Sequence, residues 1–343
     1  MLPSLSELYL VDCHLNNMSP SLQFANFTAL EVLDLSVDAI HSEVPNWIFN
    51  LTSEISYIYL ENNLLRDQLP KAMPNFQVLR SLGLSNNYLD GPIPDWLVKL
   101  EHLGYLDFSS NLFSGPLPIN LGNLTSLVVL YASSNLFTGV VSEKHFSNLS
   151  NLKFLSVDSP NIIFDFDLHW IPPFQLDSVY LGPVGPKLPQ WLYTQTSLKS
   201  LGFVNSKISF EAGDKFWSFD PWFPFCVITR REAICSTWTC PTTNYPGGLT
   251  DCWTNWKSLL HINLGKNDLS GKIPPSMGLL ANLTSLHLHQ NNLSGVIPLS
   301  LQNCHSLLVL NVRENRFSGS IPNWLPHKAK ALHAFPHYLG FCR

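Results

Sequence analysis

The chain has 343 residues, 45% of them hydrophobic and 13% charged, with a formal net charge of -5. That balance supplies a continuous apolar core and excludes a disordered chain, and the lack of any long acidic or basic run excludes a nucleic-acid or anionic-membrane footprint. No run of about 18 apolar residues marks a membrane span, the start Met1-Leu2-Pro3-Ser4 lacks the parts of a secretory leader, and the seven cysteines lay out no disulfide framework.

From the N-terminus onward the chain repeats itself. Cys13 and then Asp38, the latter with a 25-residue step to the next, occupy a slot that becomes asparagine at Asn63, Asn87, Asn111 and Asn135, spaced by 24 residues. Around each slot the frame recurs, as in Leu79, Leu82, Leu84, Asn87, Leu89, Gly91, Ile93 and Pro94. The alternation Leu-x-Leu predicts a short strand with its leucines inside, and one such unit cannot bury its apolar face without neighbours. The asparagine amide, donor and acceptor at once, is expected to satisfy backbone groups where the chain leaves the strand. The following glycine permits a turn that a Cβ would strain, and the proline after it is expected to limit strand pairing on the outer side.

Further along, the unit of Leu152, Leu155 and Val157 carries Pro160 near the slot, and the unit of Leu176, Val179 and Leu181 is shortened, so both are expected to be irregular. From Phe210 to about Gly248 no frame fits. The repeat resumes with Asn267, Asn291 and Asn315, again 24 residues apart, and fails after Lys328. The predicted organisation is therefore repeats over 1–209, a non-repeat insertion or mis-spliced segment over 210–250, repeats over 251–328 and an off-pattern tail over 329–343. The tail stops where another strand is due, as in a truncated coding sequence.

The run Leu-x-x-Leu-x-Leu-x-x-Asn-x-Leu-Ser-Gly-x-Ile-Pro, seen from Leu283 to Pro298, resembles the plant-specific class of leucine-rich repeats. Gly185-Pro186-Lys187-Leu188-Pro189-Gln190-Trp191-Leu192 and Asp251-Cys252-Trp253-Thr254-Asn255-Trp256 are similar to stretches of plant receptor-like protein ectodomains, in the branch that includes receptors for fungal xylanase. The resemblance implies a leucine-rich-repeat solenoid, an α/β-type curved superhelix with a parallel concave β-sheet and 24-residue repeats. It further implies an extracellular array capped by paired cysteines, then a membrane span and a tail without a kinase, signalling in defence or development through partner kinases. The expected ligand is an extracellular peptide, protein or glycan. A secreted inhibitor of microbial cell-wall-degrading enzymes, or a truncated fragment with no function of its own, are the alternatives.

Candidate binding residues lie at strand positions that face away from the leucines. Tyr57, Tyr59, Tyr105, Tyr131 and Phe154 gather in the first block, and His261, His287, His289 and Arg313 in the second. Asp34, Glu61 and Asp107 make the first block the more acidic, and acidification is expected to strengthen the positive character of the second through its histidines. His287 and His289 bring no third ligand by spacing, so no metal is expected, and neither is a cofactor. The chain shows no catalytic or phosphate-binding motif, which argues against an enzyme. Acceptors of the form Asn-x-Ser/Thr occur at Asn17, Asn26, Asn50, Asn123, Asn148, Asn282 and Asn292. Of these, Asn123 and Asn282 are expected in matching places before a strand.

Overall fold

The computed structural model describes residues 4–15, 27–72, 74–184, 189–203, 225–228, 233–236, 249, 253, 256–325 and 331–333. Asn17, Asn26 and most of the insertion and tail lie outside these described residues. The chain divides into two compact units, Met1–Pro183 and Val184–Arg343.

In the first unit, the strands Glu7–Tyr9, Val32–Asp34, Tyr57–Tyr59, Ser81–Gly83, Tyr105–Asp107, Val129–Tyr131, Phe154–Asp158 and Ser178–Gly182 pair in parallel, each with the next in sequence. Their middle residues are the expected inward ones: Leu33, Leu106 and Leu130 are 0% exposed, and Ile58 and Leu155 1%. Each such side chain contributes roughly 1.5–3 kcal/mol when it leaves water. The units flagged as irregular keep strict register, since Leu155 pairs with both Leu130 and Val179.

The outer side differs from expectation. Arg66–Gln68, Tyr88–Gly91, Leu112–Pro116, Leu136–Val141 and Asn161–Phe164 form a second parallel sheet over consecutive turns. Proline does not prevent it, because Pro116 stands at the end of its strand, where its missing N–H breaks no interior ladder bond. Gly115, at φ +78, turns the chain there. The connecting side is built largely from short 3-10 turns, such as Ile119–Asn123, with one four-residue α-helix, Asn46–Phe49, among the described residues. Inside, Phe108, Phe113 and Phe137 pack together at centroid separations of 5.7 to 6.5 Å, a cluster the leucine frame does not announce.

The asparagine slot does what its chemistry requires. Asn111 Oδ1 accepts from the N–H of Leu89 in the preceding turn at 3.0 Å. Its Nδ2 donates to Leu84 O in that turn at 2.9 Å and to Phe108 O and Ser109 O of its own turn at 3.3 and 3.2 Å. Asn63, Asn87 and Asn135 repeat the pattern, all buried. The residue before each slot is left-handed, with φ +56 at Asn62, +54 at Asn86, +53 at Ser110 and +57 at Ser134. That conformation costs about 1–2 kcal/mol in a non-glycine residue, and the bonds of the adjoining amide hold it. Asp38 keeps half of the device. Its Oδ1 accepts from Leu15 N at 3.0 Å, but Oδ2, where the donor would be, is buried without a partner.

In the second unit, Ser200–Phe203, His261–Asn263, Ser285–His287, Val309–Asn311 and Ala331–His333 pair in parallel in sequence order. The first pairing skips the non-repeat stretch. Leu201 sits beside Ile262, and Asn267 Nδ2 donates to Phe203 O at 2.6 Å, the bond that elsewhere joins neighbouring turns. The last strand lies inside the stretch expected to be off-pattern, where Leu332 takes register with Leu310.

Two substitutions separate the halves of the asparagine device. Asn111→Ala should lower the unfolding free energy by about 2–3 kcal/mol, because it strands one N–H and several carbonyls, and Asp38→Asn should raise it by about 1 kcal/mol. Urea denaturation of the two variants beside the parent chain checks both signs.

Candidate ligand-binding face

Register turns the outward strand residues of the first unit into two columns. One runs Glu7, Val32, Tyr57, Ser81, Tyr105, Val129, Phe154, Ser178; the other runs Tyr9, Asp34, Tyr59, Gly83, Asp107, Tyr131, Ser156, Tyr180. In the second column Tyr59 and Tyr131 are three turns apart, with the small Gly83 and the short Asp107 between them. Tyr105 leans in from the first column and meets Tyr131 edge-on, at 6.3 Å between centroids.

The gap between Tyr59 and Tyr105 is an open depression of about 410 Å³. Asp34, Glu61 and Asp107 bring carboxylates to it, and Ser36, Asn62 and Ser85 complete its rim. The two aspartates are held by the same local turn: Asp34 Oδ1 accepts from Ser36 N and Oγ at 3.0 and 2.6 Å, and Asp107 Oδ1 from Ser109 N and Oγ at 2.9 and 2.6 Å. Glu61 lies across Gly83, where a Cβ would fall 1.7 Å from its Oε1, so the glycine is what lets the carboxylate fold over the neighbouring strand.

These surroundings shift the acid chemistry. Glu61 is pushed up to about 7, foremost by burial, which its own backbone N–H opposes, with the charges of Asp107 and then Asp34 adding to the rise. Burial and the Asp107 charge raise both Tyr105 and Tyr131, and Tyr105 Oη donates to Asp107 Oδ2 at 3.4 Å. Near neutrality the depression therefore carries a carboxyl group, that of Glu61, which is still partly protonated.

Of the residues singled out in the sequence, Tyr59 and Tyr105 meet at the depression and Tyr131 flanks it. Tyr57 is 38% exposed in the first column, two residues before Tyr59 on the same strand, and Phe154 sits in register with Val129 further along. Sequence reasoning counted Asp34, Glu61 and Asp107 only as charge and passed over Gly83. The outward, side-chain-free slot of Gly83 between acidic rows is the signal that marks the cavity.

In the second unit, His261 Nδ1 is 2.9 Å from Ser285 Oγ and 3.1 Å from Thr284 Oγ1. His287 and His289 stand edge to face at 6.4 Å. The His289 ring lies over Gly265, and its Nδ1 is buried without a hydrogen-bond partner. Burial, then Arg313, His287 and Lys266, lower its pKa, with Glu314 opposing. Acidification thus charges His289 later than a free histidine. Arg313 Nε lies 3.6 Å from Glu314. Among the described residues no group of three or more His, Cys, Asp or Glu could hold a metal.

The acceptor asparagines Asn50, Asn123, Asn148, Asn282 and Asn292 are all exposed. Asn123 and Asn282 do not occupy matching places. Asn123 ends a 3-10 turn and stands six residues before the strand Val129–Tyr131, whereas Asn282 stands three before Ser285–His287. The shared Asn-Leu-Thr-Ser-Leu string aligns only by eye, because Leu127, not Leu124, corresponds to Leu283 in the frame.

The Glu61 shift predicts a pH dependence of stability. With the folded value raised above the unfolded 4.5 to about 7, the folded state holds the proton more tightly, so its advantage is complete below about 4.5 and is lost as pH rises through about 7. Glu61→Gln should therefore gain stability over the parent chain at pH 8 and show little difference at pH 4. Thermal melts across that range read the crossover, and a constant offset would contradict it.

The Leucine Rich Repeat family model matches residues 78–100, 102–124, 282–304 and 306–327. Over 136 residues, 39% of this chain, the sequence is 31% identical to Receptor-like protein EIX1 of Solanum lycopersicum, and 30% identical to EIX2 of the same plant. Those matches span only 12% of each tomato protein's length. Among solved structures, the plant peptide hormone receptor RGFR1 in complex with RGF2 superposes at a TM-score of 0.59 with 23% identity, covering 91% of this chain and 44% of that one. An internalin from Listeria monocytogenes, at 0.58 and 16%, covers 94% of this chain and 78% of its own. No helix among the described residues is long and apolar enough to cross a membrane. Repeat frame, buried asparagine slot and family-model matches agree that the chain carries leucine-rich repeats, and over the aligned stretch it is similar to the tomato receptor-like proteins.

Proposed function

We propose that this chain is a ligand-binding part of the extracellular region of a plant cell-surface receptor-like protein, and that the strand face of its first unit takes an extracellular peptide or protein. The observation that carries the reading is the depression in which Tyr59 and Tyr105 flank Glu61 above Gly83. Half-buried tyrosines on a rigid sheet offer contact area at low entropic cost, and the carboxyl groups of Asp34, Glu61 and Asp107 between them match a lysine or arginine side chain. The tomato relatives are named receptor-like proteins, and one solved neighbour is a peptide hormone receptor bound to RGF2, which supports a peptide or protein ligand over a small substrate. Signalling in defence or development would then run through partner kinases.

The test is selection of a random displayed peptide library on the purified chain. Selected peptides should carry a basic residue next to an apolar one. Tyr105→Ala should weaken them by about 30-fold, and Gly83→Ser, which drives Glu61 out of its place, by a comparable factor. Peptides that bind both variants as tightly as the parent chain would overturn the reading.

A further inference from the structure

Two aspartates on the strand face of the first unit are satisfied by their own chain, and a third is not. Asp34 and Asp107 each accept from the N–H and the hydroxyl of the serine two residues on, Ser36 and Ser109. Asp158 ends the strand Phe154–Asp158, and two residues on stands Pro160, which has neither an N–H nor a hydroxyl to give. Among the described residues the half-buried carboxyl group of Asp158 makes no hydrogen bond and no ion pair. Burial raises its pKa, and no donor or cation pulls it back. A carboxylate withdrawn from water and left unpaired is costly, and an incoming cation would remove that cost.

Asp158 belongs to a third outward column, beyond the two that the strands define. Val37 N donates to Glu61 O, Asn62 N to Ser85 O, Asn86 N to Ser109 O, Ser110 N to Ser133 O and Ser134 N to Asp158 O, all at 2.8 to 3.0 Å. Glu61, Ser85, Ser109, Ser133 and Asp158 therefore stand in successive turns, with an acid at either end and serines between. None of the three columns contains a lysine or arginine, so no cation of the face itself neutralises either end. Ser133 and Ser156 bond to one another through their hydroxyls beside the Asp158 end, which leaves oxygen lone pairs for a further donor.

The spacing of the two ends sets a ruler. Because Glu61 folds over Gly83, its carboxyl group stands on the strand one turn further along, which leaves three turns to Asp158, about 14 Å at ~4.8 Å per strand. An extended chain running across the strands covers that distance in about four residues at ~3.4 Å each, and residues four apart point to the same side.

We propose that Asp158 is a second cation-binding subsite, and that the peptide taken at the Tyr59–Tyr105 depression carries two basic side chains four residues apart, one for the depression and one for Asp158. The proposal rests on the reading of that depression as a peptide site. A lysine ammonium suits the second position, since it brings three donors to the carboxylate and the serine oxygens. Its binding is intramolecular once the first basic side chain is seated, so a modest contact gives a measurable gain.

Synthetic peptides with one lysine beside a phenylalanine, and a second lysine three, four or five residues away, are titrated against the purified chain by fluorescence anisotropy. The second lysine should tighten binding about tenfold at four residues and little at three or five, where it points away from the sheet. D158N, with a melting temperature equal to the parent's, should abolish the gain and leave the one-lysine peptide unaffected. P160S, which returns the missing N–H and hydroxyl, should reduce the gain. A gain that is absent, equal at all three spacings, or undiminished in D158N or P160S overturns the second subsite. The peptide reading of the depression survives that result if Tyr105→Ala still weakens the one-lysine peptide, whereas failure of every peptide to bind the parent chain sinks both.

Discussion

One buried amide per turn governs this molecule. A solenoid turn has to bend away from its strand inside the apolar interior, and bending exposes backbone groups that no ladder partner can reach. The asparagine side chain closes that deficit on both sides: its oxygen takes an N–H of the previous turn, and its nitrogen serves carbonyls of both turns. Leucines supply most of the burial free energy, but they are interchangeable with phenylalanine, as the cluster of Phe108, Phe113 and Phe137 shows. The amide is less replaceable, and the orphaned oxygen of Asp38 shows what is lost when even an isosteric acid stands in.

Because the interior is settled by leucine and asparagine, outward strand positions are free of structural duty and can be chemically specialised. The first unit uses that freedom to set tyrosines and carboxylates in register on a rigid parallel sheet. Gly83 is the instructive member. It occupies an outward slot beneath Glu61, and its missing Cβ creates both the room for that carboxyl group and the depression that Tyr59 and Tyr105 border. A sheet surface of this kind is shaped as much by the side chain left out as by those put in.

Most of the fold was legible in the sequence, because a 24-residue period repeats its physical reasons and each copy checks the others. The inward leucines, the slot amides and the αL glycine followed directly. What periodicity could not convey was anything that depends on pairing between turns: the outer sheet running over successive turns, the phenylalanine cluster, and the join between Phe203 and Asn267. The site was half legible. Tyr59, Tyr105 and Tyr131 were visible as outward aromatics, whereas the roles of Asp34, Glu61 and Asp107 arise only once register sets them around one gap. The supposed equivalence of Asn123 and Asn282 failed for the opposite reason, since a local string was trusted over its position in the frame.

The join itself has a wider meaning. Phe203 and Asn267 bond as if their turns were consecutive, although 57 residues separate the strands that carry Leu201 and His261 from end to start. Each turn tests only whether the next offers a carbonyl at the right height, and is indifferent to how much chain was travelled to bring it there. Such an architecture can carry extra chain between two rungs without changing the bonds that join them, which makes a rung boundary a convenient place on which to graft new segments.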